Sequence, residues 1–238
     1  MSKVGSIPVQ LLNYCTRNHL ENPLRVYLYL KYTSGNGVLL HSRELEIQSA
    51  VELEWSRRTI RDHLKRLTEL NWISKDKEGR VFIRGYQFLS RYLKLRFTAT
   101  VEMREHDLFK LNYKPYLSGA EVGYISKKKL AIARRSGSIK PDSPQYLLAP
   151  QPLSLRLLQD EFNLTPRELL KRLKKAQECG YIRIISCKET TSISPSELKM
   201  LQRNNPYDGC YPRYINGKVV LVHPNRYAPT LKYMRWKK

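Results

Sequence analysis

Residues Ser56 to Ser74 read SRRTIRDHLKRLTELNWIS, and residues Thr165 to Arg183 read TPRELLKRLKKAQECGYIR. The second stretch follows the first without a gap at a constant spacing of 109 positions, from 56 to 165. Each opens on a hydroxyl residue suited to capping a helix, Ser56 or Thr165. Each then sets aliphatic side chains at the fourth and eighth following positions, Ile60 and Leu64 or Leu169 and Leu173, with Arg and Lys scattered between them. Each closes on an aromatic residue followed by isoleucine, Trp72-Ile73 or Tyr181-Ile182. One apolar stripe at helical spacing followed by a β-branched run predicts a basic helix leading into a strand, twice in the chain.

Working outward from the first copy, Asn22-Pro23 predicts a helix start, and Val26, Leu28 and Leu30 with interleaved tyrosines predict a largely buried helix to about Lys31. Ser34-Gly35-Asn36-Gly37 stops it, Val38 to His41 is a short strand, and Ser42 caps a second helix that carries Leu45 and extends past Ala50. In the third helix Ile60, Leu64 and Leu67 share one side, which leaves Arg57, Arg58, Arg61 and Lys65 on the remaining surface. Trp72 to Lys75 and Arg80 to Ile83 flank Asp76-Lys77-Glu78-Gly79, the pattern of a strand, a turn ending in glycine and a returning strand.

From about Pro23 to Arg84 this order of elements resembles the winged-helix DNA-binding proteins: helix, short strand, helix, turn, recognition helix, hairpin wing. The resemblance implies that Arg57, Arg58, Arg61 and Lys65 face the major groove. It also implies that Lys75, Lys77 and Arg80 lie on the wing, near a phosphate or the minor groove.

The second copy follows Ser136 to Pro150, whose Ser, Gly and Pro residues read as an irregular connection. Ser154 caps a helix through Phe162, and Thr165-Pro166-Arg167-Glu168 joins a proline at the first helical position to a capping box. Leu170 stands where the first copy has Arg61, and Pro166 where it has Arg57. Two roles remain open for this helix, weaker base discrimination or a dimer contact, while Arg167, Lys171, Arg172, Lys174 and Lys175 keep phosphate attraction available. After Tyr181 to Ile185, Ser194-Pro195-Ser196-Glu197 predicts an inserted helix through Gln202, and Asn216-Gly217 a hairpin, together an elaborated second wing. From Gly209 to Lys238 there is no acidic residue, and basic residues alternate with tyrosines and Trp236. That interleaving suits backbone contact plus stacking, or ordinary packing of a core with a wet basic surface.

Between the copies, Leu95 to Glu102 alternates as a strand does. An acid-free interval between Glu121 and Asp142 carries Lys127, Lys128, Lys129, Arg134 and Arg135, a DNA-tracking connector or a solvated helix face. The whole chain has 43 Lys and Arg against 21 Asp and Glu, a formal net charge of +22, and 41% hydrophobic residues. Such a balance points to a polyanionic partner and is apolar enough to build cores.

Several classes are disfavoured. No run approaches the roughly 20 apolar residues of a membrane helix, and the first residues lack a long apolar region, so a cytoplasmic or nucleoid-associated protein is expected. Cys15, Cys179, Cys187 and Cys210 are far apart, without the paired spacing of a zinc finger or a disulfide framework. There is no phosphate-cradling Gly-rich loop, no nucleophile elbow, no paired-His metal motif and no evident acidic metal set, so a non-enzymatic protein without cofactor or metal is expected.

The expected fold is α+β and mainly helical, with two winged-helix units in tandem joined by a basic connector. The first unit covers residues 1–95 with an N-terminal extension, the connector with its strand 96–150, and the second unit 151–238 with the inserted helix and basic aromatic tail. The expected function is sequence-specific binding of double-stranded DNA by a transcriptional regulator, with a homodimer left open and Leu170 as either a base-methyl contact or part of its interface. Two units on one chain also resemble plasmid replication initiators in layout and charge, which implies origin-repeat binding on a mobile element. Binding of RNA, or a structural nucleoprotein, is the third reading.

Overall fold

The structure is a computed structural model, and it describes residues 4–104, 107–108, 113–137, 151–186, 188–191, 211–215, 218–222 and 225–235. Among them are eight helices and small antiparallel sheets, a mixed α+β fold with more residues in helices than in strands. The chain divides into two compact units, residues 1–121 with 231–238, and residues 122–230.

In the first unit, strand β1 (Val4–Pro8) leads into helix α1 (Val9–Arg17), and the two make up the N-terminal extension of the expected first unit. Helix α2 (Glu21–Thr33) starts two residues before Pro23, so the proline falls in the first turn, where its missing N–H costs nothing. Strand β2 (Val38–Leu40) and helices α3 (Arg43–Glu52) and α4 (Arg57–Glu69) follow. Ser42 Oγ accepts from the Leu45 N–H and Ser56 Oγ from the Thr59 N–H, each at 3.1 Å, so both helix starts are capped as their sequences predict.

The hairpin β3 (Ile73–Lys75) and β4 (Arg80–Ile83) comes next, with Lys75 opposite Val81. Strand β2 joins it on the far side of β4, giving the order β2-β4-β3. Gly79 takes φ +81°, which a turn this tight requires and a side chain resists. The core beneath holds Ile60, Leu67 and Trp72, with Trp72 meeting Tyr27 of α2 edge to face at 5.4 Å between ring centroids. Tyr27 Oη donates to the Arg84 carbonyl at 2.7 Å, fastening α2 to the end of the hairpin.

Helix α5 (Tyr86–Tyr92) then leads to strand β5 (Ala99–Arg104), somewhat later in the chain than the alternation from Leu95 suggests. Strand β5 is the middle of a sheet ordered β1-β5-β12, where β12 is Tyr233–Arg235 from the far end of the chain. The division into a first unit of 1–95 and a connector of 96–150 is therefore corrected. Residues 99–104 are the centre of a sheet in the first unit, and helix α6 (Tyr113–Arg135) occupies much of the expected connector. The basic tail is corrected likewise: Tyr233 is packed into the first unit, where its hydroxyl donates to the Ala120 carbonyl at 2.7 Å.

The second unit takes the later part of α6, then strand β6 (Gln151–Pro152), helix α7 (Leu155–Phe162), helix α8 (Pro166–Glu178) and strand β7 (Ile182–Ile185). Strand β7 pairs not with the strand that follows it but with β11 (Arg226–Pro229), in a sheet ordered β6-β11-β7. Between them β8 (Lys188–Thr191), β9 (Tyr211–Ile215) and β10 (Lys218–Val222) form their own sheet, ordered β8-β10-β9. Ile215 pairs with Lys218, as the Asn216-Gly217 signal predicts. The return strand of the β7 hairpin is β11, however, so this sheet is an insertion into the hairpin rather than its second arm. The helix expected at Ser194 to Gln202 lies outside the described residues.

Helices α4 and α8 each have 13 residues, at the same spacing as the sequence repeat. Their ends repeat as well. Asn71 and Gly180 both take positive φ, and the following N–H groups of Trp72 and Tyr181 each reach back at 2.9 Å, to the carbonyls of Leu67 and Ala176.

Candidate nucleic-acid interface

On α4, Ile60, Leu64 and Leu67 are buried, so the opposite face presents Arg58, Asp62, Lys65 and Glu69 at i, i+4, i+7 and i+11. The equivalent face of α8 presents Arg167, Lys171, Lys174 and Glu178. Among the described residues Arg58, Lys65, Arg167, Lys171 and Lys174 have no carboxylate partner.

Several other cations near α4 and the hairpin are held by the unit's own acids. Glu46 on α3, nearly buried, accepts from Arg61 Nε at 2.8 Å and from Arg57 Nη2 at 3.2 Å, and its other oxygen lies 3.3 Å from His41 Nε2. Burial pushes the Glu46 carboxyl up. The hydrogen bonds from Arg61 and Arg57, with the charge of Arg61 and the His41 ring, outweigh that and hold it below the ordinary glutamate range. Lys75 Nζ lies 2.6 Å from His41 Nδ1, which extends the chain of contacts from α4 through Glu46 and His41 to the hairpin.

At the hairpin turn Asp76 accepts from Arg80 Nε at 2.7 Å and from the backbone N–H groups of Arg80 and Glu78, and Glu78 lies 2.9 Å from Arg80 Nη2. The Arg80 hydrogen bond holds the Asp76 carboxyl below its usual range. Lys77 is exposed beside them. Arg57, Arg58, Arg61 and Lys65, expected together on the surface of α4, are not alike: Arg57 and Arg61 are fastened to the preceding helix, as Arg80 is to its own turn. A cavity of about 340 Å³ lies between α4 and its sheet, lined by Leu64, Ile73 and Val81 with Glu46, Arg61, Lys65 and Lys75 around them.

In the second unit Arg172 is corrected more strongly. It is buried, and its Nη2 meets Glu168 Oε1 at 2.7 Å along the same helix, so it packs rather than projects. Lys175 lies 3.3 Å from Glu178, the counterpart of the Arg66 to Glu69 pair on α4 at 3.2 Å. Leu170 is exposed at 49%, an apolar side chain on a basic helix. On α6, Lys127, Lys128, Lys129 and Arg135 are exposed and Arg134 is half-buried, with Lys129 Nζ donating to the Pro152 carbonyl at 3.1 Å.

The residue that sequence reasoning missed is Glu46. Its only signal is an acid one turn into a helix, and its role depends on the packing of α3 against α4. Among the described residues no group of three or more His, Cys, Asp or Glu is placed to hold a metal ion, and no helix is long and apolar enough to cross a membrane. Cys15 is fully buried, and burial pushes its thiol well up. Compared with known proteins, the chain matches no family model, no curated protein and no solved structure.

Proposed function

We propose that the protein binds duplex DNA sequence-specifically through two winged-helix units, one built on α2 to β4 and the other on α6 to β11, and that it acts by binding rather than by catalysis. One observation carries this reading. In each unit the short strand ahead of the helix pair adds to the far arm of the hairpin behind it, as β2-β4-β3 and as β6-β11-β7, with a capped basic helix between. That arrangement suits a helix displayed to a major groove and a hairpin set beside it. The net charge of +22 supplies the long-range attraction that such binding needs.

In the first unit Arg58 and Lys65 are the base-reading candidates, with Arg61 held in a fixed pose by Glu46. In the second, Arg167, Lys171 and Lys174 hold the backbone. A transcriptional regulator is the process that this site serves most simply. Two DNA-binding units in one chain also favour a second reading, a replication initiator gripping repeated origin sites. On either reading the protein's place is on cytoplasmic or nucleoid DNA.

The test is competition of the full chain among duplex DNA, single-stranded DNA and structured RNA, followed by selection of bound sequences from a random duplex pool. Preference for duplex with a recovered consensus is the expected outcome. Equal binding to all three, or a pool that never converges, overturns the reading. Recovery of direct repeats would favour the initiator.

A further inference from the structure

Away from α4, the first unit contains a cleft of about 810 Å³ lined by Gln87, Ser90, Arg91, Arg96, Phe97, Thr98 and Arg235. Three of these side chains are guanidinium groups, all exposed, and among the described residues no acid lines the cleft. Among the described residues none of the three arginines has an ion-pair partner, in contrast to Arg57, Arg61 and Arg80. Gathering like charges without counter-charge raises the local positive potential, and guanidinium groups match phosphate oxygens in pairs.

The frame around them is built rather than loose. Ser90 Oγ donates to the Leu95 carbonyl at 2.6 Å and the Leu95 N–H returns to Ser90 at 2.9 Å, closing the turn between Arg91 and Arg96. Gln10 of α1 bonds both the Thr98 hydroxyl at 2.7 Å and the Thr98 N–H at 3.1 Å, and Phe97 is anchored in the core. Arg235 is set opposite Ala99 by the pairing of β12 with β5.

We propose that this cleft is a binding site for consecutive phosphate groups. Their source is either the backbone of the DNA flanking the site that α4 reads, which rests on the DNA reading above, or a soluble nucleoside triphosphate. The cleft is a second anion site of the first unit, distinct in its residues from α4 and its hairpin.

The test uses the full chain and the variant Arg91→Gln/Arg96→Gln/Arg235→Gln, with Arg91→Lys/Arg96→Lys/Arg235→Lys as a charge-preserving companion and circular dichroism as the folding check. One arm titrates a selected duplex over a salt series. If the cleft holds backbone, the glutamine variant loses about 2.7 from the log-log salt slope and weakens roughly 500-fold at 0.1 M salt, while its preference for the selected sequence over a scrambled one survives and the lysine variant retains most of the slope. The other arm titrates adenosine triphosphate by calorimetry, where loss of binding in the glutamine variant alone assigns the cleft to a soluble source. Unchanged binding of the glutamine variant in both arms overturns the proposal while leaving the DNA reading intact. A wild-type chain that shows no salt-dependent duplex binding overturns the DNA reading instead, and the triphosphate arm then decides the cleft alone. Should the glutamine variant fail to fold, Arg96→Gln by itself, with an expected slope loss of about 0.9, carries the same decision.

Discussion

Helices α4 and α8 are alike in length, cap, buried positions and ending, yet they hold their charges in opposite ways. On α4 the carboxylate of Glu46 gathers Arg57 and Arg61, and Asp62 sits in the middle of the outward face. On α8 the equivalents of Arg57 and Arg61 are Pro166 and Leu170, the outward middle is Lys171, and the one arginine held by an acid, Arg172, is buried. With Arg57 and Arg61 held by Glu46 and Asp62 repelling phosphate, α4 keeps only Arg58 and Lys65 as outward cations, which favours discrimination over bulk attraction. Loose cations on an acid-poor face favour attraction to any phosphate. On the proposed DNA reading, that difference divides two copies of one scaffold between reading and gripping without any change of fold.

The largest expected effect tests the gripping half. Replacing Arg167, Lys171 and Lys174 together by Ala removes about 2.7 from the log-log salt slope of duplex binding and two to three decades of affinity at 0.1 M, for selected and random duplex alike. Fluorescence anisotropy over a salt series measures it, and a loss confined to the selected duplex would reverse the assignment of roles. Next comes Arg58→Ala, which should cost about 1–3 kcal/mol on the selected duplex and much less on random sequence. If both duplexes weaken equally, α4 is not the reader.

Glu46→Gln probes the fastening itself. Freed arginines should raise random-duplex affinity several-fold while the sequence preference narrows, and unfolding stability near neutral pH should fall by about 1–2 kcal/mol. Because the Glu46 carboxyl titrates lower in the folded chain than in the unfolded one, its contribution is complete above the unfolded value of about 4.3 and fades as pH falls through the folded value. Thermal melts from pH 7 to pH 3 should therefore show wild type and variant converging in acid, and parallel curves would count against the ion pair. The smallest effect is that of Leu170→Arg, which places a cation where no Glu46 counterpart holds it. Random-duplex affinity should rise about eightfold at 0.1 M through one more phosphate contact. A change of mass by light scattering would instead mark Leu170 as a contact between two copies of the chain.

Much of the scaffold was legible because its signals are local. Ser56, Thr165 and Pro166 mark helix starts, and the aliphatic spacing marks buried faces. Strand partners were not legible, because pairing depends on what the chain brings back from a distance. Residues 188–222 read as a continuation of the second hairpin until β11 is seen to pair with β7, and Leu95 to Glu102 read as part of a connector until β1 and β12 flank β5. Of the candidate site, the basic positions were visible and their partners were not. Nothing near Arg57 or Arg61 in sequence announces Glu46, and nothing links Arg235 to Arg91.

The pairing of β12 with β5 also bears on how the molecule comes into being. Strand β5 emerges early in synthesis, but its second neighbour is not made until residues 233–235, so one edge of it stands without its strand while residues 105–232 are still being added. At ordinary rates of translation that interval is on the order of ten seconds, during which an unpaired edge can recruit strands from other chains. The first unit is thus completed only after the second has been made, and Arg235 arrives with the strand that completes it.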